Sequence, residues 1–544
     1  RVPQLPLTQP QKCESPLVAL RLINRRLSPV ASALLVVLGM APMMAVTAPN
    51  EEFVAALLAA CMLIVVRRGE DLTWPARSWL PVTMAMGGVA GVLLLTKFSA
   101  GLLSFGILIL ISLALLPCWS LFVSMWTSFI ATATLLWLLM EGDLTYFGMW
   151  AQRSSVIASS YSGAMATYDV TALLGAGFAG LGVIVALFAI HRARALGFPA
   201  WTCVLVLLTE TLGFYIGWKL AFVRIEPLRI SAALVMLTPL VVWAIPRTWP
   251  PIRTGLAAVA FPLAALGFAV ISVLALSTYT PLTSVVSWAS ALKWSISEAA
   301  LSADLDDRRA ELDGRLDLSP EVQGILAGKG VHVDPVRTAT VWAYLLTWRP
   351  MPIIQNFPAH DNELDQANLD TLLASSPDQV VLQGTQAYAI DDRNILWDPP
   401  RYQLALLCNF DEIARDDRWS VLQRGADRCS EPIPSGSQDV VAGVPVAIPK
   451  AQEGQIVLAR FTPERGVLDA LVSLLLKPPS PLTATVNGIT YRVPWGFDGA
   501  PLLVSCPAQP TTPAGLYRVC PSPPAVEFNH DGQVEFETVE YQSG

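Results

Sequence analysis

The stretch FSAGLLSFGILILISLALLP, residues 98–117, contains no charged side chain in twenty consecutive positions. A helix needs roughly 17–25 apolar residues to cross a bilayer, so this stretch is long enough to do so. The flanking sequence repeats the pattern, and by the same rule we identify about nine apolar runs. They lie near 29–48, 52–66, 79–96, 99–117, 119–140, 170–190, 199–218, 229–246 and 254–276. The run 52–66 is short for a span and fits a tilted or re-entrant segment.

The composition of the 544-residue chain agrees with a membrane protein. Hydrophobic residues make up 53% and charged residues 15%, and the mean hydropathy is +0.49. These values are too apolar for an ordinary soluble protein of this length. The net charge of −7 argues against a nucleic-acid partner, which calls for a basic surface.

Acidic and basic residues are frequent from Asp304 onward, which divides the chain into a membrane half and a water-soluble half. The predicted fold is a polytopic α-helical membrane domain over residues 1–280, followed by a helical connector over 281–330. An extracytoplasmic α/β domain over 331–430 and a β-sandwich of jelly-roll type over 431–544 complete it. Because residue 1 is Arg rather than Met, we expect a processed N-terminus or a fragment.

The basic residues between the apolar runs predict the orientation. Cytoplasmic loops are enriched in Lys and Arg. Counting spans places all four basic connectors on one side, so the N-terminus is predicted to be cytoplasmic and the C-terminal half extracytoplasmic. The connectors are Arg25–Arg26, Arg67–Arg68 with Arg77, Arg192 with Arg194, and Arg247 with Arg253. We therefore predict a multi-pass protein of the cell membrane.

Cysteine usage supports this placement. The water-soluble half contains an even number of cysteines, which in an oxidising compartment suggests two disulfides. Three pairings are possible, of which the simplest joins near neighbours. The four residues are Cys408, Cys429, Cys506 and Cys520. Cys61, Cys118 and Cys203 lie in apolar runs and are best interpreted as small core residues.

The segment 219–229 departs from the positive-inside pattern, because it places Lys219, Arg224 and Arg229 on the predicted outer face. Their side chains could simply extend to lipid headgroups, or the topology could be wrong by one span. Alternatively, they bind an anionic group at the outer leaflet. The second interpretation gains weight because carboxylates lie on the same side.

Two further features of the membrane half attract attention. The connection 141–169 is amphipathic and aromatic, which predicts a helix along the membrane interface. Its Arg153 and the Ser-Ser-Tyr-Ser cluster around Tyr161 are less easily explained as an anchor. Glu210 lies inside an apolar run, where an ionisable group is either functional, or is protonated or hydrogen-bonded to Thr209 or Thr211.

In the water-soluble half, strand-like and helix-like pieces alternate up to about residue 430. We predict strands at 331–335, 350–357, 379–384 and 419–425, and helices at 361–375 and 400–416. After residue 431 short strand-like runs predominate, among them 469–477, which predicts the sandwich. Folds of this type often bind carbohydrate, although fold alone does not establish function.

Aromatic and amide side chains concentrate between residues 342 and 368, and the stretch 356–365 is expected to be exposed. Flat rings with amides and carboxylates suit sugar binding, although each tryptophan taken singly is more often a core residue. The group comprises Trp342, Tyr344, Trp348, Gln355, Asn356, Phe357, His360, Asp361, Asn362 and Asp365. We find no His or Cys spacing typical of a metal site.

Several segments resemble actinobacterial multi-pass membrane proteins similar to glycosyltransferases of the GT-C class. They are LLLTKFSAGLL (93–103), VIASSYSGAM (156–165), GWKLAFVRIE (217–226), VHVDPVRTATVWAY (331–344), TWRPMPIIQNFPAHDNELDQAN (347–368) and AIDDRNILWDPP (389–400). Two departures matter. Ile225 and Glu226 stand where the group has His-Asp, and the group usually begins with a further span and an acidic outer loop. If Arg1 marks a truncated start, the principal catalytic base is absent from this sequence.

The resemblance implies transfer of a sugar from a polyprenyl-phosphate donor to a glycan or lipid acceptor at the outer membrane face. A carboxylate must deprotonate the acceptor, and cations must hold the donor phosphate. The candidate catalytic carboxylates are Asp143, Glu141 and Glu226. The candidate substrate-binding residues are Lys97, Arg153, Tyr161, Lys219, Arg224, Trp348, Gln355 and Asp365. No cofactor is certain, and a divalent cation is the one candidate.

Two other functions remain open. A polymerase or ligase of lipid-linked glycans would use the same face and the same cations but would lengthen a chain. A non-catalytic protein of cell-envelope assembly would bind glycan without transferring it. Membrane lipid is a partner in all three cases, and nucleic acid in none.

Overall fold

The computed structural model describes residues 49–70, 76–168, 171–226, 297–385, 390–505 and 524–542, with isolated positions between 229 and 244. The chain forms two compact units. The first is Arg1–Thr145 with Asp169–Ser290, and the second is Tyr146–Tyr168 with Ala291–Gly544. The segment Tyr146–Tyr168, which lies between two apolar runs in the sequence, therefore belongs to the second unit.

The first unit is helical wherever the structure describes it. Its long helices are α1 Pro49–Gly69, α2 Ala76–Thr96, α3 Phe98–Leu115, α4 Trp119–Glu141, α6 Thr171–Ala195 and α7 Ala200–Phe222. Five segments in them are long and apolar enough to cross a membrane: Trp79–Thr96, Phe98–Leu115, Trp119–Glu141, Gly175–Ala195 and Ala200–Phe222. They match five of the predicted runs, and the chain is accordingly a membrane protein.

The predicted number of about nine spans is not supported. The run 52–66 lies in α1, which is not among the five helices that qualify by length and hydropathy. Its acidic start and its Arg67 and Arg68 leave too short an apolar stretch. The runs 29–48 and 254–276, and most of 229–246, lie outside the described residues.

Helices α2 and α4 pack with their backbones in close contact. A Cβ atom on Gly87 would lie 2.0 Å from the carbonyl oxygen of Met125, and one on Gly91 would lie 2.8 Å from that of Phe129. These glycines are four residues apart and lie on one face, as in the small-residue interfaces of membrane helices. Hydroxyl contacts across the same interface reinforce it, for example the 2.9 Å hydrogen bond between Thr83 and Ser124.

The second unit contains α5 Phe147–Met165. Its predicted connector forms two helices, α8 Glu298–Leu316 and α9 Pro320–Leu326. Ser297 caps α8, its hydroxyl accepting a hydrogen bond from the N–H of Ala300. Most of α8 is exposed and charged, with ion pairs such as Arg308–Asp304. The helical, solvated character of the connector is as expected.

The α/β layer contains a five-stranded mixed sheet in the order β2-β1-β3-β5-β4. Its strands are β1 Gly330–Asp334, β2 Thr347–Trp348, β3 Gln379–Gly384, β4 Phe410–Arg415 and β5 Trp419–Arg424. Strands β1, β2 and β3 are parallel, whereas β4 and β5 are antiparallel to their neighbours. Its helices are α10 Ala339–Ala343, α11 Asn362–Leu373 and α12 Pro400–Asn409.

Two predictions for this layer were wrong. Residues 350–357 are bends and turns, not a strand, because Pro350 and Pro352 cannot donate hydrogen bonds to a sheet. The predicted helix 400–416 ends at Asn409 and continues as β4, in which buried and exposed residues alternate. That alternation is the strand periodicity that a single helix prediction missed.

The C-terminal region is a sandwich of two four-stranded antiparallel sheets, as predicted, in the orders β10-β9-β12-β7 and β11-β8-β13-β6. Its strands are β6 Ile433–Val440, β7 Pro445–Ala447, β8 Gln455–Pro463, β9 Leu482–Val486, β10 Ile489–Val493, β11 Pro501–Ser505, β12 Ala525–Phe528 and β13 Gly532–Glu540. Phe461 and Phe528 stack between the sheets with ring centroids 4.1 Å apart.

The run 469–477 was predicted as a strand but lies mostly in helix α13, Val467–Leu475. Short apolar runs do not distinguish the two structures by periodicity. The sandwich also shares its hydrophobic core with the α/β layer. Trp397, for example, donates a 2.9 Å hydrogen bond to the carbonyl of Leu503, so the boundary near residue 430 does not separate two cores.

Candidate functional sites

A cluster of opposite charges lies directly after α7, which ends at Phe222. Arg224 Nε contacts one carboxylate oxygen of Glu226 at 2.6 Å, and Arg229 Nε contacts the other at 2.9 Å. All three side chains are partly exposed. We call Arg224, Glu226 and Arg229 the arginine–glutamate cluster. Guanidinium groups form strong paired hydrogen bonds with carboxylate and phosphate groups, so the two arginines suit an anionic ligand.

The pKa of Glu226 decides what this carboxylate can do. Burial alone would raise its pKa, but the hydrogen bonds and charges of Arg229 and Arg224 outweigh burial and lower the pKa below its ordinary value. Glu226 is therefore ionised at neutral pH and is a weak proton acceptor. Positioning the two arginines fits these properties better than the predicted role as a catalytic base.

The other predicted residues of the first unit lie at or next to the ends of α3, α4 and α7. Lys97 is exposed at the start of α3 and Glu141 is exposed at the end of α4. Asp143 is also exposed and accepts a 2.7 Å hydrogen bond from the N–H of Thr145, which lowers its pKa. Lys219 lies partly buried in the last turn of α7. Glu226 is thus the predicted carboxylate that the structure pairs with a predicted cation.

Glu210 is fully buried in α7. Neither carboxylate oxygen has a hydrogen-bond partner among the residues that the structure describes. The hydroxyl of Thr209 instead donates to the carbonyl of Leu205 at 2.8 Å. Within the described residues, Glu210 therefore forms no hydrogen bond with Thr209 or Thr211, and the interpretations as a protonated or a functional group stay open.

The predicted interfacial helix, α5, packs against the α/β layer and carries Arg153 and Tyr161. Val156 and Ile157 contact a small apolar cluster of that layer, and Gln152 donates a 2.8 Å hydrogen bond to Glu363. Tyr161 meets the ring of His360 edge-on, at 6.5 Å between centroids. One face of the helix is therefore buried by protein.

A second group of polar side chains lies at the carboxyl ends of the parallel strands. Asp334 ends β1 and accepts hydrogen bonds from Gln383 of β3, at 2.7 Å, and from Asn356. Nearby, Arg393 pairs with Asp398 at 3.0 Å, and both side chains are buried. We call these five residues the buried polar cluster. The carboxyl ends of parallel strands are where open α/β sheets commonly bind ligands.

Burial controls protonation in this cluster. It raises the pKa of Asp334 to about 6, in spite of the hydrogen bonds from Gln383 and Asn356 that lower it. It also raises the pKa of Asp398, which Arg393 only partly offsets. For the neighbouring His332 and His360, burial lowers the pKa to about 3, so both rings are neutral at pH 7.

The buried polar cluster joins α5 to the rest of the second unit. The guanidinium of Arg393 donates to the carbonyls of Ala164, at 3.0 Å, and Phe357, at 3.1 Å, besides its pairing with Asp398. The cavity beside these residues measures about 10 Å³, which holds about one water molecule. It is too small for a sugar, so in this conformation the cluster is part of the core.

The predicted sugar-binding stretch 356–365 is largely buried, which corrects the expectation of exposure. Asp365 accepts hydrogen bonds from the N–H groups of Arg401, at 2.9 Å, and Tyr402, at 3.0 Å, in the first turn of α12. Burial outweighs these bonds and raises its pKa to about 6. Gln355 donates to the carbonyl of Val336 at 3.2 Å. Trp348, on edge strand β2, is 46% exposed.

The predicted pairing of Cys408 with Cys429 is confirmed by an S–S distance of 1.98 Å. Cys506 and Cys520 lie outside the described residues. Cys61, Cys118 and Cys203 are free thiols. Within the described residues, no group of three or more His, Cys, Asp or Glu side chains is arranged to hold a metal ion.

Sequence reasoning missed Asp334, Gln383, Arg393 and Asp398. A signal existed, because Asp334 lies at the end of a short apolar strand-like stretch. The partners could not be read from the sequence, since Asp334 and Gln383 are 49 positions apart. No family model, curated protein or solved structure matches this chain.

Proposed function

We propose that this protein is a membrane glycosyltransferase that moves a sugar from a polyprenyl-phosphate donor to a glycan or lipid acceptor of the cell envelope. The observation that carries the proposal is the arginine–glutamate cluster directly beyond the end of α7. Transfer from a phosphate-linked donor needs cations that hold the phosphate and stabilise the charge that develops as it leaves. Arg224 and Arg229 supply them.

The position of the cluster favours a lipid-linked donor. It follows a helix that is long and apolar enough to span the membrane, so its cations lie close to where a lipid phosphate would be in the bilayer. Lys219, one turn before the end of that helix, adds a third cation. A lipid-linked donor needs no nucleotide site.

Glu226 acts in this proposal as a positioning residue. By contacting both guanidinium groups it fixes their planes relative to each other, which a phosphate requires for paired hydrogen bonds. The hydrogen bond from Thr145 lowers the pKa of Asp143 as well, so the candidate base that accepts the proton of the acceptor is Glu141. The outward orientation and the jelly-roll character of the sandwich belong to the same proposal.

The test is sugar transfer in membranes that contain the full-length variants and are supplied with a polyprenyl-phosphate sugar. Arg224→Ala should abolish transfer, while Arg224→Lys should retain part of it because one charge remains without the planar fork. Arg194→Ala is the matched control, since Arg194 is exposed at the end of another span. Unchanged transfer by Arg224→Ala would remove the cluster from the site.

One observation favours a second candidate, a non-catalytic protein that binds lipid-linked glycan during envelope assembly. Glu226 contacts both arginines, so the carboxylate nearest to the cations is a poor base. A binding protein needs only the cations. Retention of labelled donor in a way that depends on Arg224, together with no transfer to any acceptor, would support this candidate over the enzyme.

A further inference from the structure

Helix α13, Val467–Leu475, exposes an apolar face in the second unit. The exposed fractions are 89% for Val467, 71% for Leu468, 50% for Leu471 and 49% for Leu475. At 3.6 residues per turn these four side chains fall within about 100° of the helix circumference. A helix with one apolar and one polar face and basic residues nearby is typical of segments that lie in a membrane interface.

The opposite side of α13 is polar. Asp469 lies there in the first turn, and the hydroxyl of Ser473 donates a 2.6 Å hydrogen bond to the carbonyl of Asp469. Arg465 precedes the helix and its guanidinium stacks on Trp495, 4.5 Å from the ring centroid. Lys477 follows the helix. Cations at both ends suit the phosphate groups of lipids.

Chain connectivity indicates which surface the apolar face meets. Lys477 Nζ donates a 2.8 Å hydrogen bond to the carbonyl of Thr167 and lies 5.1 Å from the ring centroid of Tyr168. Thr167 precedes Thr171, the first residue of α6, by four positions. Four residues extend over at most about 14 Å, so a short stretch of chain joins the residues that Lys477 contacts to a helix that is long and apolar enough to span a membrane.

The other end of α5 has the same constraint. Phe147 follows Glu141, the last residue of the spanning helix α4, by six positions, which bridge at most about 20 Å. Short stretches of chain therefore join both ends of α5 to candidate spanning helices, and Lys477 attaches α13 to residues just beyond one of these ends. Continuity with this attachment favours lipid over a protein partner.

We propose that α13 lies in the bilayer interface, with Val467, Leu468, Leu471 and Leu475 inserted among the lipids. It serves as an additional membrane attachment of the second unit. This inference rests on exposure and connectivity and is independent of the proposed transferase activity.

The test uses the full-length protein in its own membrane with a photo-reactive benzophenone amino acid placed at single positions. Leu471 reports on the apolar face, and Asp469, which is also exposed, is the matched control on the polar face. A second pair, Leu468 and Ser480, guards against a local effect of one substitution. Formation of the Cys408–Cys429 disulfide, seen as a gel shift on reduction, shows that each variant has folded.

We expect that irradiation attaches phospholipid to the probe at Leu471 and Leu468 several-fold more than to the probe at Asp469 and Ser480. Equal lipid labelling at the two faces would overturn the proposal. So would attachment of the Leu471 probe to a protein instead of lipid.

Discussion

The two charged clusters of this protein differ in what surrounds them, and the difference separates a candidate binding site from a structural core. The arginine–glutamate cluster is partly exposed, places two arginines against one glutamate and follows a helix that is long and apolar enough to span a membrane. The buried polar cluster is closed, contains one arginine for two aspartates and adjoins a cavity of about 10 Å³. Charges that remain open to a ligand can function in binding, whereas enclosed charges specify and hold the fold.

The largest loss of stability should come from removing the buried guanidinium group of Arg393. Arg393→Ala leaves Asp398 buried without its partner and removes the hydrogen bonds to Ala164 and Phe357. Breaking a buried pair in this way typically costs about 3–5 kcal/mol. We expect a large fall in the thermal unfolding midpoint of the second unit, measured on purified protein. Arg415→Ala, which disrupts a partly exposed pair with Glu412 at 3.8 Å, should change stability by less than about 1 kcal/mol. Equal losses of stability in Arg393→Ala and Arg415→Ala would contradict the distinction between enclosed and exposed charges.

The stability of the first unit should depend on close helix packing more than on charged side chains. Gly87→Ala places a Cβ atom 2.0 Å from the carbonyl oxygen of Met125, which forces α2 and α4 apart. Overpacking of this kind costs about 1–3 kcal/mol. Gly88→Ala is the matched control, because its Cβ atom would lie 3.5 Å from the nearest atoms, the hydroxyl oxygens of Ser128 and Thr132. We expect thermal stability in detergent to fall for Gly87→Ala alone, and similar melting curves would argue against close helix packing.

The two clusters should respond to pH in opposite directions. The pKa of Asp334 is raised to about 6, so its folded state binds the proton more tightly and its stabilising contribution is lost as pH rises from about 4 to above 6. Asp334→Asn should remove that loss. The stability of the variant relative to the wild type should therefore rise as the pH increases across this range.

The pKa of Glu226 is lowered, so its contribution is present above the unfolded-state pKa and is lost as pH falls. Glu226→Gln should therefore differ most from the wild type near neutral pH and least in acid. Denaturant unfolding at a series of pH values checks both variants. Parallel pH profiles for Asp334→Asn, Glu226→Gln and the wild type would contradict the assigned environments.

Much of the architecture could be predicted from the sequence, but less of the candidate sites. Five of the about nine predicted apolar runs coincide with helices that are long and apolar enough to span a membrane, because length and hydropathy alone decide a span. The even cysteine count suggested disulfides, and the simplest of three pairings gave Cys408–Cys429. The run 469–477 was predicted as a strand because a short apolar run fits a strand as well as a helix. The capping of α12 by Asp365 could not be predicted, because its partners Arg401 and Tyr402 lie 36 and 37 positions away.

The most direct test of the account is the affinity of the purified full-length protein for a radiolabelled polyprenyl phosphate. Removing a charged hydrogen-bonding group weakens binding by about 1.5–3 kcal/mol, which is about tenfold or more. Arg224→Ala and Arg229→Ala should each show that loss, and Arg194→Ala should bind as the wild type does. If Arg224→Ala and Arg229→Ala bind the lipid phosphate as tightly as the wild type, the arginine–glutamate cluster is not its site.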